Sequence, residues 1–136
     1  MVISAVLYIK GHKQEKEGIH LISCDYSFSQ AVDSKGLTSS KVQGGEINLS
    51  FTSIEDNEII QWMISEEADK DGKISFVGDN NTKPFKTIEF KDARLIAYSE
   101  SFMDQAYMTT TLTISAREIS ISGVKHTNAW QGYSSD

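Results

Sequence analysis

Apolar and polar residues alternate along most of this chain, and that alternation predicts β-strands with one buried face. The clearest example is residues 46–52, where Ile47, Leu49 and Phe51 alternate with polar neighbours. The same period of two predicts further strands at residues 3–10, 20–29, 73–77, 88–97, 108–116 and 119–121. The chain is therefore expected to be mainly β, with turns at its glycine-rich and polar stretches.

The predicted strands also indicate which side chains are buried and where strands bend. In the strand at residues 20–29, His20, Ile22 and Cys24 share the apolar face. The apolar residues switch from even-numbered to odd-numbered positions at Lys91–Asp92, which indicates a bulge or tight turn in the strand. A second switch, from even to odd positions, occurs near residues 117–118. In residues 108–116 we expect Met108, Leu112, Ile114 and Ala116 to be buried. The opposite face is uncharged and polar and includes Thr109, Thr111 and Thr113.

One stretch departs from this alternation, because residues 53–72 have the period of an amphipathic helix. Ile59, Trp62 and Met63 lie on one face, which we expect to anchor the helix in the core. Ile60 and Ile64 widen the apolar stripe.

The ends of this helix also have sequence signals. Ser53 or Asp56 can provide the N-cap oxygen, and acidic residues follow at the positive end of the helix dipole. The helix is predicted to end at Asp71–Gly72, because glycine readily adopts a positive φ.

Three connecting segments follow from the same pattern. Residues 11–18 are charged and bounded by glycines, which predicts an exposed hairpin loop. Residues 99–107 are expected to form a loop, and Gly123 to turn the chain into a tail that carries His126 and Trp130. Residues 31–44 form a polar connection too long for an ordinary hairpin, and connections of that length are often functional.

These elements predict an antiparallel β-barrel, or a tight sandwich, with one flanking α-helix. A chain of 136 residues fits a single domain, so we expect residues 1–136 to fold as one unit. Closure of the sheet into a barrel would leave few exposed strand edges.

The net charge and the cysteine content of the chain limit the binding partners and the cellular compartment that we expect. The chain has 19 acidic and 13 basic residues, a net charge of −6, which disfavours binding to nucleic acid or to an anionic membrane. Cys24 is the only cysteine, which excludes an internal disulfide and fits a reducing compartment. Residues 2–9 lack the features of a signal peptide, so we expect no general secretory signal.

No catalytic, cofactor or metal site is predicted. His12, His20 and His126 lack zinc-ligand spacing, and we expect solvated or locally hydrogen-bonded roles for them. Residues 67–78 begin like a calcium loop, but the twelfth position is Gly78 instead of a bidentate glutamate. Cys24 is expected to be a buried small hydrophobe. A binding or assembly protein is therefore favoured over an enzyme.

Several segments in order resemble one protein family. They are the runs ISCDYSFSQ at residues 22–30, GGEI at 44–47, KDGKI at 70–74, IEFKDA at 88–93, LIAYSESF at 95–102, LTISAREI at 112–119 and HTNAW at 126–130. Taken together, they resemble the Hcp (TssD) tube proteins of type VI secretion systems, in their Bacteroidetes form. The charged loop at residues 11–18 and the tail beyond Trp130 depart from the family pattern.

The resemblance implies a β-barrel subunit with one flanking helix, no enzymatic activity and no cofactor. Subunits would form hexameric rings, and the rings would stack into a hollow tube inside a contractile sheath. Contraction would expel the tube and its spike protein from the cytoplasm to the outside or into a target cell, with effector proteins carried in the lumen.

In such an assembly, two surfaces of the chain have expected roles, the first from the resemblance and the second from its uncharged polar character. The extended loop at residues 31–44 would join one ring to the next, through Asp33, Lys35, Leu37 and Lys41. The polar face with Thr109, Thr111 and Thr113 would line the lumen or a subunit contact. The alternatives are a free-standing β-barrel that binds a small ligand, and the tube protein of a related contractile injection machine.

Overall fold

The described part of the chain contains eight strands and one helix. A computed structural model describes residues 3–27, 46–65, 69–78, 83–84, 86–104 and 107–127. The elements are β1 (Ile3–Ile9), β2 (Ile19–His20), β3 (Ser23–Tyr26), β4 (Glu46–Thr52), α1 (Glu58–Ile64), β5 (Lys70–Gly78), β6 (Lys86–Phe102), β7 (Met108–Ile121) and β8 (Val124–Thr127).

The strands form one curled antiparallel sheet in the order β2-β1-β5-β6-β7-β4-β3, with β8 paired to β7. Its two ends meet at the short connection between β2 and β3. There the Leu21 N–H donates to the Ala5 carbonyl oxygen (2.9 Å), and the next amide, that of Ile22, donates to the Ser50 carbonyl oxygen (2.7 Å). The predicted class, a mainly β antiparallel barrel with one flanking helix, is confirmed.

The core lies inside the curl and follows the predicted alternation. In β4, Ile47, Leu49 and Phe51 are buried while their neighbours are not. Fully buried side chains also come from the other main strands: Leu7, Ile9, Ile74, Ile88, Phe90, Leu112, Ile114 and Ile119. The period of two therefore identified the core face of β4 correctly.

The predicted parity changes in β6 and β7 are confirmed, and they lie opposite each other. The ladder pairs Lys91 with Glu118 and then Ala93 with Ala116, so Asp92 and Arg117 interrupt both strands together. Asp92 has a positive φ of 51°, and its carboxylate accepts from the Arg117 Nη2 group at 2.8 Å. This ion pair stabilises the bend that turns Ala93 back into the core.

The helix is shorter than predicted, because Gly72 lies in β5 and does not end the helix. Gly72 pairs with Ile9 on one side and Phe90 on the other, and a Cβ there would collide with the Tyr8 carbonyl oxygen and the Phe90 ring. Residue 72 must therefore be a glycine for β5 to pack this closely against its two neighbouring strands. Ile64 was also placed wrongly, since it is 73% exposed at the end of α1.

The helix N-terminus is close to the prediction. Asn57 occupies the N-cap position without a side-chain capping bond. The residue before it, Asp56, accepts the Glu58 N–H through Oδ1 at 2.6 Å. Asp56, one of the two residues predicted to provide a capping oxygen, therefore accepts a hydrogen bond from a free amide of the first helical turn.

Two further predictions on the β6–β7 hairpin are wrong. Residues 99–107 are not one loop, because β6 continues to Phe102 and pairs with Met108. Met108 is 41% exposed instead of buried, since it lies at the hairpin tip. Ala97 is also exposed, because the register of the β6–β7 ladder shifts between Leu95 and Ala97.

The segment after the first loop also differs from the prediction. His20 and Ile22 are exposed, while Ile19 is buried and Leu21 packs on the core. The chain changes pairing from β1 to β4 here, which reverses the buried face. Gly123 does make a turn, but the residues after it form β8, and Trp130 lies outside the described residues.

Candidate functional site

The loop predicted to join rings, residues 31–44, is not among the described residues. Asp33, Lys35, Leu37 and Lys41 all lie outside the described residues. The other two groups of predicted residues, on α1 and on β7, are both described.

The helix face places two of its three predicted anchors in the core. Ile59 and Trp62 are buried, with exposures of 4% and 2%, and Met63 is half-buried against the same cluster. The indole Nε1–H of Trp62 donates to the Ala93 carbonyl oxygen at 3.2 Å. This bond satisfies the only polar atom of a buried indole and fixes α1 against the bend in β6.

The threonines of β7 lie on a polar surface that continues onto β4 and β3. Thr109 and Thr113 are half-buried and Thr111 is exposed. The Thr113 hydroxyl donates to Asn48 Oδ1 at 2.8 Å, and Asn48 Nδ2 donates to Asp25 at 3.0 Å. The side chains therefore form a hydrogen-bonded row across three strands.

This β3–β4–β7 polar face has two exposed acidic residues, Asp25 and Glu46, and is otherwise uncharged. Beside the threonines it contains Ser23 and Ser50, whose hydroxyls are 2.6 Å apart. Groups that are already hydrogen-bonded to one another and are mostly uncharged offer little to hold a charged ligand. Such a face suits contact with water or a weak contact with the polar surface of another protein.

A second cluster, which the sequence did not predict, joins the loop at residues 11–18 to the start of α1. His12 is buried, with its imidazole 2% exposed, and its Nε2 lies 2.6 Å from Asp56 Oδ2 and 3.3 Å from Glu58 Oε2. The Lys13 N–H also donates to Glu58, and the Lys13 ammonium donates to the Glu55 carbonyl oxygen. The loop is therefore a hairpin connection, as predicted, but one of its side chains is buried.

His12, Asp56 and Glu58 have the residue types of a metal site, and their ligand atoms lie within 4.8 Å of one another. The Gln14 N–H, however, donates to His12 Nδ1 at 3.0 Å, so Nδ1 must carry a lone pair and Nε2 the proton. A metal-bound histidine instead donates a hydrogen bond from its second nitrogen. The residues therefore do not fit a metal ion, and the cluster fixes the loop to the helix.

The acidic residues of the calcium-like stretch are used elsewhere in the structure. Asp71 Oδ1 accepts the Asp92 N–H at 2.9 Å, and Asp69 accepts Arg94 Nε at 3.1 Å. Asp71 and Gly72 belong to β5, where alternate side chains point to opposite faces. The described residues of this stretch therefore do not form a calcium loop, and Glu67 lies outside them.

Two groups have shifted pKa values with clear physical causes. Burial, followed by the charge of Asp25, raises the pKa of the Cys24 thiol to about 11. Burial, then the hydrogen bond that Tyr98 donates to Glu100, raises the pKa of the Tyr98 phenol to about 12. Both shifts favour the neutral form, so Cys24 is a poor nucleophile at neutral pH.

Sequence reasoning missed two features for different reasons. The His12 cluster needs residues 44 positions apart, which no local pattern brings together. The second feature is a group of exposed apolar side chains at the β6–β7 turn, which the run SFMDQAYM could have indicated.

No helix in the described ranges has the length and apolar character needed to cross a bilayer.

A family model and solved structures match this chain. The model described as Hemolysin coregulated protein Hcp (TssD) matches residues 1–131. Hcp1 from Flavobacterium johnsoniae has 27% identity and a TM-score of 0.81, and the match covers 92% of this chain and 99% of that protein. Among curated protein sequences, none matches the chain.

Two more distant structures share the fold. Hcp1 from Salmonella typhimurium has a TM-score of 0.70 at 13% identity, over 93% of each chain. A chain of the PVC sheath-tube complex, an extracellular contractile injection system in its extended state, has a TM-score of 0.57 at 18% identity, over 88% of each chain.

Proposed function

Since the chain belongs to the Hcp (TssD) family of type VI secretion tube proteins, we propose that its copies form hexameric rings that stack into a hollow tube. The observation that carries this proposal is the family match over residues 1–131, together with a barrel that follows Hcp1 of Flavobacterium johnsoniae over almost its whole length. In this proposal residues 1–136 are one tube-subunit domain with a structural role instead of a catalytic one.

The lumen of the tube is lined by the β3–β4–β7 polar face. Thr109, Thr111 and Thr113 lie on the opposite side of β7 from the buried Leu112 and Ile114. The hydroxyl and amide groups of this face already bond to one another, so the surface keeps a hydrated channel wall without strongly retaining charged cargo.

The loop at residues 31–44 joins successive rings. Asp33, Lys35 and Lys41 provide polar and ionic contacts, and Leu37 a small apolar one. Exposed ion pairs contribute only about 0–1 kcal/mol each. Six loops acting at one ring junction add through multivalency, so weak individual contacts can hold the stack.

The same proposal includes the other parts of the type VI secretion machine. The tube assembles in the cytoplasm inside a contractile sheath, carries a spike protein at its tip and leaves the cell when the sheath contracts. Effector proteins travel in the lumen of the tube.

Electron microscopy of the purified protein at high concentration tests the proposal. We expect six-fold rings, stacked into tubes in crowded conditions. A chain that stays monomeric at all concentrations would contradict ring formation and would favour the free-standing barrel that binds a ligand. Gene neighbours that encode sheath and spike proteins would decide between a type VI tube and the tube of a related contractile injection machine.

The stacking loop has a separate test. Replacing residues 34–41 by a short Gly-Ser linker should leave rings intact and abolish tubes, because the replaced segment contains three of the four proposed contact residues. Normal tubes from this variant, with normal release into the medium, would remove the loop from the stacking mechanism.

A further inference from the structure

An open cleft of about 240 Å³ lies on the face of β1, β5 and β6 that is turned away from the core. Tyr8, Lys73 and Glu89 stand side by side across it, because the ladders pair Tyr8 with Lys73 and Lys73 with Glu89. Gly72 and Phe90 also contribute to its lining. The cleft therefore combines aromatic surface with several polar groups, as small-molecule sites do.

The Tyr8 ring forms a preformed wall of this cleft. The Lys73 ammonium group lies over the ring, 5.3 Å from its centre. The loop at residues 11–18 packs against the same ring, since a Cβ on Gly18 would lie 2.8 Å from Tyr8 Cε1. Because both neighbours hold the ring in place, a ligand need not order it, which lowers the entropy cost of binding.

The cleft contains equal numbers of cationic and anionic side chains. They are Lys10, Lys73, Lys91, Glu15, Asp71 and Glu89. Among the residues that the structure describes, none of these six belongs to an ion pair. A cleft with no net charge has no overall preference for a simple anion or a simple cation, but its charges can complement a molecule that carries both.

Two of the three carboxylates already accept hydrogen bonds from the backbone. Asp71 accepts the Asp92 N–H at 2.9 Å, and Glu15 accepts the Gly11 N–H at 2.9 Å. The third carboxylate, on Glu89, lies two residues before Lys91 on the same face of β6, a separation of about 7 Å along the strand. These two side chains are therefore spaced to hold the ammonium and the carboxylate of one small molecule.

We propose that this cleft binds a small zwitterion with an apolar body, of the size and charge of a free amino acid. Glu89 accepts from the ammonium group of the ligand, Lys91 donates to its carboxylate, and its apolar side chain lies against Tyr8. The volume of about 240 Å³ is below the roughly 300–1,000 Å³ of sites for drug-sized ligands, which favours a ligand of this small size. The inference goes beyond the tube function and does not rest on it.

Saturation-transfer NMR of the full chain tests the ligand class, with L-phenylalanine as the probe. We expect a Kd of about 1–10 mM, because exposed charge pairs each contribute little. N-acetyl-L-phenylalanine lacks the ammonium group and phenethylamine lacks the carboxylate, so each should bind about two- to fivefold more weakly. Equal binding of either analogue, or no signal from L-phenylalanine at about 20 mM, would overturn the proposal.

Substitutions on β6 test which side chain contacts which charge. Glu89→Gln and Lys91→Gln should each raise the Kd of L-phenylalanine about two- to fivefold. Glu89→Gln should leave binding of N-acetyl-L-phenylalanine unchanged, and Lys91→Gln that of phenethylamine, because each analogue lacks the group concerned. Lys86→Gln is the matched control, since Lys86 begins the same strand but does not line the cleft.

The outcomes separate this inference from the proposed function. Circular dichroism confirms that the variants fold, and saturation transfer detects the ligand on monomers and on rings alike. An unchanged Kd in both Glu89→Gln and Lys91→Gln would overturn the amino acid site while leaving the tube function intact. A chain that binds L-phenylalanine but never forms rings would contradict the tube function and support the site.

Discussion

Removal of the Trp62 side chain tests how far α1 stabilises the barrel. The indole is 2% exposed in the central cluster and donates to the Ala93 carbonyl oxygen. Truncating a buried tryptophan to alanine costs about 3–5 kcal/mol of unfolding free energy. For a domain of 136 residues, an unfolding entropy of about 2.1 cal/mol/K per residue converts this loss to a Tm decrease of about 10–17 °C.

Differential scanning calorimetry at a concentration where the protein is monomeric measures this decrease without a contribution from assembly. Ile64→Ala, two residues further along α1 but 73% exposed, is the control, and should change the unfolding free energy by less than about 0.5 kcal/mol. Trp62→Phe keeps one aromatic ring but loses the N–H and part of the buried volume, so its Tm should fall between those of the wild type and Trp62→Ala. If Trp62→Ala melts at the wild-type temperature, or Ile64→Ala is equally damaging, the helix face has been assigned wrongly.

Three further predictions concern single positions. His12→Ala should lower the unfolding free energy by about 1–3 kcal/mol, because it removes the hydrogen bond to the buried Asp56 carboxylate; His12→Gln, which keeps a donor, should recover part of that loss in urea unfolding. Cys24, with its pKa raised to about 11, should react with iodoacetamide at pH 8 roughly a hundredfold more slowly than an exposed thiol, and an equal rate would place it at the surface. Gly72→Ala should lower the Tm in thermal unfolding, because its Cβ would collide with the Tyr8 carbonyl oxygen and the Phe90 ring, and an unchanged Tm would show that the strands can separate there without cost.

The thiol shift also fixes the sign of one pH dependence. In the unfolded chain Cys24 loses its proton near its ordinary value of 9.0, while in the folded chain it keeps the proton to about 11. Between these values the unfolded state binds fewer protons, so the contribution of Cys24 to stability falls as the pH rises from about 9 to 11. A Cys24→Ser variant should lack this part of the alkaline loss in urea unfolding.

The strands could be predicted from the sequence because their buried face repeats every second residue, and burial imposes that repeat directly. The alternation of Ile47, Leu49 and Phe51 needed no knowledge of the partner strand. The bend at Asp92 was also visible, since a change of parity within one apolar run requires an extra residue in the strand. In each of these cases the signal lies within a few neighbouring residues.

The failures all depended on distant parts of the chain. Gly72 has the local signal of a helix end, but the Phe90 ring packs against it from the next strand. Met108 continues the apolar phase of β7, and only the length of the hairpin shows that it lies beyond the core. His12 is buried because Asp56 and Glu58 approach it in three dimensions.

Native mass spectrometry of the purified wild-type protein tests whether the chain forms tube subunits, because it counts the subunits in each assembly. We expect a dominant species at six times the protomer mass of 15.1 kDa, with heavier species at whole multiples of that ring. A spectrum that contains only the 15.1 kDa protomer at every concentration that can be sprayed would contradict the assignment of this chain as a tube subunit.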